Sequence, residues 1–302
     1  MRVSIAAHAK INLTLDVVKK LQNGYHELLM VMQSISLHDI LSIETGTDAG
    51  IELRSNVKNI PCDERNLVYK AIQAFYEASG ILESGVSVAI EKRIPVMAGL
   101  AGGSTDAAAG IRALDFIYNT RFSEKELQKI GLCVGADVPF CISGGTMLAR
   151  GVGEILSPLS PMPDCTILLV KPDVAVSTPS VFAALDKREI TRRPDTEAMI
   201  GALARGTVSD IAAGLFNVME DVTAAECPEI LEIKRRMLAR GALGAAMSGS
   251  GPTVFGIFTD NVCAHAAYAE FLPRYPGVYL CRPYPANSSE DFLTSFAGMS
   301  GV

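Results

Sequence analysis

No C-x-x-C pair occurs among the seven cysteines, Cys62, Cys133, Cys141, Cys165, Cys227, Cys263 and Cys281. Odd in number and scattered, they argue against a disulfide framework or a cysteine zinc site. Most of them read as small apolar side chains in apolar surroundings. The four histidines, His8, His26, His38 and His265, show no H-x-x-x-H spacing, so a histidine metal site is not expected either. A surplus of positive charge is also missing: 27 Lys and Arg stand against 33 Asp and Glu, a net charge of −6. Duplex and RNA binders usually carry a basic footprint, so nucleic acid is not an expected partner. An acidic chain that handles phosphates must gather positive potential locally, from a few Lys or Arg and from helix N-termini. No apolar run approaches the roughly 18 residues of a spanning helix. The opening M-R-V-S-I-A-A-H-A-K turns polar too early for a signal h-region, so no membrane partner and a cytoplasmic location are expected. Three familiar loops are absent too: G-x-x-x-x-G-K-[ST], G-x-G-x-x-G and G-x-S-x-G.

What is present is 302 residues, 49% hydrophobic and 20% charged, enough for one large or two ordinary domains. Loose alternation over residues 2–16, and period-two apolar residues over Ile35–Glu44, predict strands. Gly50–Arg54, Gly85–Glu91, Thr166–Lys171 and Val278–Cys281 read as further strands, as do the runs 243–247 and 253–258. Helical spacing marks Asn66–Ser79, closed by Gly80, and then Ala107–Tyr118, Pro179–Lys187, Glu229–Arg240 and Asn261–Leu272. Ser123 and Glu126 form an S-x-x-E capping box ahead of another helix. The Pro-rich S-P-L-S-P-M-P at 157–163 is the best candidate boundary. Interleaved strands and helices on both sides of it predict an α+β protein with domains 1–158 and 159–302, the last dozen residues forming a loose tail.

Five segments carry candidate chemistry. In P-V-M-A-G-L-A-G-G-S-T, Pro95–Thr105, glycines let the backbone turn tightly ahead of an alanine-rich helix, whose unpaired N–H groups form an anion site. Ser104, Thr105 and Asp106 are candidate caps for that helix, and a plain strand–turn–helix connection would use the same residue types. Lys10 interrupts an otherwise apolar strand, where an ammonium is costly without a partner, unless the strand is an edge with Lys10 in solvent. Asp137 precedes Val138-Pro139, either as an N-cap or as a carboxylate poised to accept a proton. Gly249-Ser250-Gly251 offers backbone donors or a tight hairpin. Tyr25 and His26 follow the Asn23-Gly24 turn signal, as turn packing or as an aromatic-plus-donor pair for a base.

In order along the chain, Lys10, P-x-x-x-G-L-x-G-G-S and S-G-S-G-P resemble the motifs of the galactokinase, homoserine kinase, mevalonate kinase and phosphomevalonate kinase (GHMP) superfamily, over nearly the whole chain to about residue 284. A-K-I-N-L at 9–13, G-Y-H-E-L at 24–28, G-A-D-V-P-F at 135–140 and V-S-T-P at 176–179 are most similar to its branch acting on 4-diphosphocytidyl-2-C-methyl-D-erythritol, in the non-mevalonate route to isoprenoid precursors. The resemblance implies an N-terminal ribosomal-protein-S5-domain-2-like ATP domain, a C-terminal ferredoxin-like α/β sandwich, and a monomer or weak homodimer. It implies ATP and Mg2+ as cofactors. Asp137 would be the base for the 2-hydroxyl, and Lys10 would pair with Asp137 and that hydroxyl. Pro95, Val96, Met97, Ala98, Gly99, Leu100, Ala101, Gly102, Gly103, Ser104 and Thr105 would hold the ATP phosphates, with Asn66 near adenine and Ser104 on the metal. Asn12, Tyr25, His26, Thr178, Phe182, Gly249, Ser250 and Gly251 would receive the second substrate, Tyr25, His26 and Phe182 taking the cytosine. Two departures stand out. Ala101 replaces a family glycine and is expected at negative φ, and Met32 stands where an aromatic near the base is expected.

Overall fold

The computed structural model describes residues 1–47 and 50–293. Its elements, in chain order, are β1 (Arg2–Lys20), β2 (His26–Thr47), β3 (Ile51–Ser55), α1 (Leu67–Ser79), β4 (Gly85–Glu91), α2 (Gly102–Tyr118), α3 (Glu124–Val134), α4 (Val138–Ser143), β5 (Thr146–Gly151), β6 (Ile155–Pro158) and β7 (Thr166–Lys171). There follow α5 (Thr178–Leu185), α6 (Thr196–Arg205), α7 (Val208–Ala213), β8 (Phe216–Asn217), α8 (Glu220–Glu226), α9 (Glu229–Ala239), β9 (Gly244–Met247), β10 (Val254–Phe258), α10 (Asn261–Phe271) and β11 (Gly277–Cys281).

β1 and β2 form one long antiparallel ribbon, from Arg2 opposite Glu44 to Lys20 opposite His26. β2 then divides its outer edge, its first half pairing with β5 and its second with β4. The resulting sheet runs β3-β4-β2-β1-β8, with β5 and β6 alongside. The second sheet, β11-β7-β10-β9, is antiparallel throughout. Together they make the expected mixed α+β architecture. Among the described residues no helix is long and apolar enough to cross a membrane.

Two cores explain the run of buried residues along β1. Ala9, Ile11 and Leu13 point into an apolar cluster shared with Ile167, Leu169, Phe255 and Ile257 of the second sheet. The alternate residues Lys10 and Asn12 point the other way, toward a cavity. A register shift between Asn12 and Thr14 reverses the parity, so that Leu15 and Val17 join the other core, which also holds the buried residues of α1 and α2. Lys10 is therefore not on a solvent edge: both faces of its strand are covered, and the residue is 4% exposed.

The helix ends follow local chemistry. Asn66 caps α1 by accepting from the Val68 N–H at 2.9 Å, and Gly80 closes it at φ +65°. The Ser123/Glu126 capping box opens α3. α2 departs from expectation, since it begins at Gly102 rather than Ala107. Its first turn is thus made from the second half of the glycine segment, and none of Ser104, Thr105 or Asp106 caps it.

Residues 283–293 lie against the first sheet, so 291–293, the start of the expected tail, are not loose. Pro283 bridges to Ile35, Ala286 to Gly144 and Phe292 to Ile5, which straps the C-terminus back across the first sheet. Residues 294–302, the rest of that expected tail, lie outside the described residues. Under the strap, His8 stacks on Tyr284 at 3.5 Å between ring centroids. Asp291 joins Arg112 at 2.8 Å and accepts from the Tyr284 hydroxyl at 2.8 Å. Burial first, then the neighbouring His38, hold the His8 pKa down at about 4, with Asp291 pulling back. The unfolded chain binds that proton near pH 6.5, so His8 contributes stability that is complete above 6.5 and is lost as pH falls toward 4. A loss of about 2 kcal/mol between pH 7 and pH 5 is expected from this one group. His8→Phe, which keeps the stack and removes the titration, should flatten that part of a urea-denaturation pH series; an unchanged slope would assign it to other groups.

Candidate active site

A cavity of about 590 Å³ opens between the two sheets, where β1, the segment before α2, α4, α5 and the loop after β9 converge. Two glycine-bearing loops interlock at its floor. Gly99, at φ +73°, lies so close to the second loop that a Cβ there would stand 2.1 Å from the Ser248 carbonyl oxygen. In return the Ser248 hydroxyl donates to the Gly99 carbonyl at 3.0 Å. Only a residue without a side chain fits that crossing.

Lys10 sits at the same seam. Its backbone N–H donates to the Leu100 carbonyl at 3.2 Å, fastening β1 to the first loop. Its ammonium donates to Asn12 Oδ1 at 2.7 Å and lies 3.2 Å from where a Cβ on Gly249 would stand. Burial pulls the ammonium below the ordinary lysine value, while the charge of Asp137 opposes that pull. Asp137 occupies the N-cap position of α4, but its carboxylate makes no capping hydrogen bond. It remains half-buried in the cavity wall with Lys10. The expected pairing of the two is not a direct contact: Lys10 makes no ion pair with Asp137 among the described residues, because Asn12 holds its ammonium.

The first loop places Pro95 through Ser104 on the cavity lining, with Asn66 across from them. Ala101 stands at φ +58°, ψ +27°, which corrects the expectation of a negative φ. As the residue before the first turn of α2 it must turn the chain left-handed, a conformation that glycine adopts without steric cost. Its methyl packs against the core. Ala101→Gly is therefore expected to raise stability by up to about 1 kcal/mol, and Ala101→Val to lower it by at least that much. Chemical denaturation checks both; a clear loss on Ala101→Gly would mean that the methyl packing outweighs the strain.

Thr105 turns away from the cavity, its hydroxyl donating to the His8 carbonyl at 2.6 Å. Asp106 lines the wall in its place. It belongs to a buried charged trio: Lys92 is ion-paired to Asp39 and, at 2.7 Å, to Asp106. Asp39 also accepts from the backbone N–H groups of Arg93 and Ile94, which shapes the approach to the loop. Burial works against the Lys92 ammonium, but Asp106 and Asp39 outweigh it and hold its pKa above the ordinary lysine value.

On the other side, Gly249, Ser250 and Gly251 line the cavity together with Asn12, Thr178 and Phe182. The Thr178 and Ser250 hydroxyls are 2.8 Å apart. Asn217 steadies this second loop, its Nδ2 donating to the Met247 and Gly249 carbonyls at 2.8 Å each. Glu220 adds a carboxylate that accepts from the Met247 N–H at 2.8 Å. Tyr25 and His26 do not appear on the cavity lining. Tyr25 is exposed, and the His26 ring lies 4.4 Å from that of Phe182, with Nε2 held by Asp186 at 2.7 Å. Met32 is fully buried in the core; Met30 lines the cavity instead and accepts from Asn12 Nδ2 at 3.4 Å.

Asp39, Lys92, Asn217 and Glu220 had no signal at the level of the sequence, since no motif spacing links Asp39 to a lysine 53 positions on, and Asp106 was marked only as a candidate cap. Among the described residues no group of three or more His, Cys, Asp or Glu could hold a metal ion by itself.

Comparison with known proteins matches the GHMP kinases N terminal domain to residues 66–145 and the GHMP kinases C terminal domain to residues 199–275. A 4-diphosphocytidyl-2-C-methyl-D-erythritol kinase of Clostridium kluyveri is 45% identical, covering 92% of this chain and 99% of that protein. One of Acetivibrio thermocellus is 49% identical, over 88% of this chain and 93% of that protein. A crystal structure of 4-(cytidine 5'-diphospho)-2C-methyl-D-erythritol kinase superposes with a TM-score of 0.78 at 34% identity, covering 92% of this chain and 98% of that one.

Proposed function

The chain belongs to the GHMP kinase family, grouping with its 4-diphosphocytidyl-2-C-methyl-D-erythritol kinases, and is an ATP-dependent small-molecule kinase; from that premise we propose that it phosphorylates the 2-hydroxyl of 4-diphosphocytidyl-2-C-methyl-D-erythritol. The observation that carries this reading is one cavity walled on one side by the loop Pro95–Ser104 and on the other by Lys10, Asn12 and Asp137. ATP lies with its phosphates along that loop and the N-terminal turn of α2, whose free N–H groups accept negative charge. Its adenine lies toward Asn66. The cytidyl end of the acceptor extends toward Thr178 and Phe182, with His26 behind Phe182 and Tyr25 at the adjoining turn.

The transfer is direct. The 2-hydroxyl oxygen attacks the γ-phosphorus, the bond from that phosphorus to the β–γ bridging oxygen breaks, and ADP leaves. Asp137 takes the hydroxyl proton. The Lys10 ammonium, held by Asn12 at the floor of the site, stabilises the charge that develops on the attacking oxygen. The interlocked glycine loops fix the distance between donor and acceptor, as in-line transfer requires. Magnesium, when bound with ATP, neutralises phosphate charge. Ser104 would fit a part in holding it, because it lines the cavity at the start of α2.

Transfer from γ-labelled ATP, followed by 31P and 13C NMR of the product, tests this reading. A phosphate on the carbon-2 oxygen is the expected product; one on carbon 1 or carbon 3 would refute the placement of Asp137.

A further inference from the structure

The trio behind the phosphate loop sets two carboxyl groups against one ammonium. Asp39 and Asp106 are buried, 0% and 4% exposed, and share the single ammonium of Lys92. Asp39 spends its oxygens on Lys92 and on the N–H groups of Arg93 and Ile94. Asp106 spends only Oδ2, on Lys92 at 2.7 Å, while its Oδ1 is buried without a hydrogen-bond partner. A buried carboxylate oxygen without a partner costs stability unless something fills the place. Burial holds the Asp106 carboxyl well above the ordinary carboxylate range against the pull of Lys92, so its ionised form needs a further cationic partner, beside the place where a polyphosphate would lie. A cation arriving with the ligand would supply that partner.

We propose that Asp106 is the protein carboxylate that holds the divalent cation of the bound nucleotide, through Oδ1, while Lys92 keeps Oδ2 in place. The position fits, because Asp106 lines the cavity at the start of the second turn of α2, two residues beyond Ser104. The number of donors fits as well. Magnesium sites at nucleotides need only one or two carboxylates, the rest of the shell coming from phosphate and water. Lys92 then acts as a positioning residue: it clamps one oxygen of Asp106 to the wall built by Asp39 and leaves the other for the metal. This rests on the reading of the cavity as a nucleotide site.

Calorimetric titration with the non-hydrolysable analogue adenylyl imidodiphosphate tests it, with and without Mg2+. The wild-type protein should bind the analogue at least about tenfold more tightly with the ion, and Asp106→Asn should reduce that difference to about threefold or less. Because the variant keeps the shape of the side chain and cannot ionise, its metal-free affinity should be equal to or tighter than that of the wild type. A second measurement needs no variant. With Mn2+ and the analogue bound to wild-type protein 13C-labelled at aspartate carboxyls, electron–nuclear double resonance should show coupling to a carboxyl carbon. Retention of the full metal dependence by Asp106→Asn, or no 13C coupling, would overturn the assignment. So would uptake of about one proton per nucleotide by the wild type but not the variant, read from buffers of different ionisation enthalpy, since a proton would then balance the charge. Absence of analogue binding under both conditions would instead refute the nucleotide site itself.

Discussion

Asp137→Asn is expected to lower kcat by about 10²- to 10⁴-fold while the affinity for ATP stays within about twofold. The substitution is nearly isosteric, and the carboxylate it replaces makes no capping hydrogen bond to α4, so the fold loses little. What disappears is an acceptor for the hydroxyl proton, because an amide cannot take one at neutral pH. The binding surface along Pro95–Ser104 is contributed by other elements and remains. Single-turnover phosphoryl transfer, with nucleotide affinity measured separately, distinguishes the two quantities. An unchanged rate would remove Asp137 from the role of base.

Lys10→Met is expected to lower kcat by about 10²- to 10³-fold with a much smaller change in KM. Methionine occupies similar volume, so β1 keeps its place between the two cores, and the lost element is the charge beside Asn12. That charge is already desolvated in the resting protein, as the downward pull of burial on its pKa indicates. The cost of burying it is met on folding, and its interaction strengthens only when the attacking oxygen becomes negative. A rise in KM alone, with kcat intact, would make Lys10 a substrate anchor rather than a stabiliser of the transition state.

Much of this site could be read from residue order. Local chemistry marked the start of α1 near Asn66, its stop at Gly80 and the Ser123/Glu126 capping box, because each involves residues within about one helical turn. Lys10, the glycine segment and Asp137 were legible as a set only through their order along the chain; alone, each also suited an edge strand, a turn or a cap. The structure resolves the first ambiguity by covering both faces of β1.

The rest depended on tertiary placement. The Asp39–Lys92–Asp106 trio joins β2, the segment after β4 and α2, and no local pattern shows that three charges will share one buried space. Ala101 misled because the start of α2 was placed five residues late, at the alanines, whereas packing of the loop against β1 winds the helix from Gly102. The small polar residues near the C-terminus suggested a loose end, yet Phe292 and Asp291 anchor it through a strand bridge and an ion pair. Met32 is in the core and off the cavity lining: β1–β2 pairing sets it opposite Asn12 on the same face of the sheet, where it is fully buried in the apolar cluster.

The acceptor is the most direct point of test. In one coupled assay of ADP release, the purified protein is given ATP and, in turn, 4-diphosphocytidyl-2-C-methyl-D-erythritol, mevalonate and homoserine. The expected result is turnover of the cytidyl substrate with kcat/KM at least about 10³-fold above the other two, since neither offers a base to the Phe182 side of the cavity. Comparable or faster phosphorylation of mevalonate or homoserine would contradict the assignment.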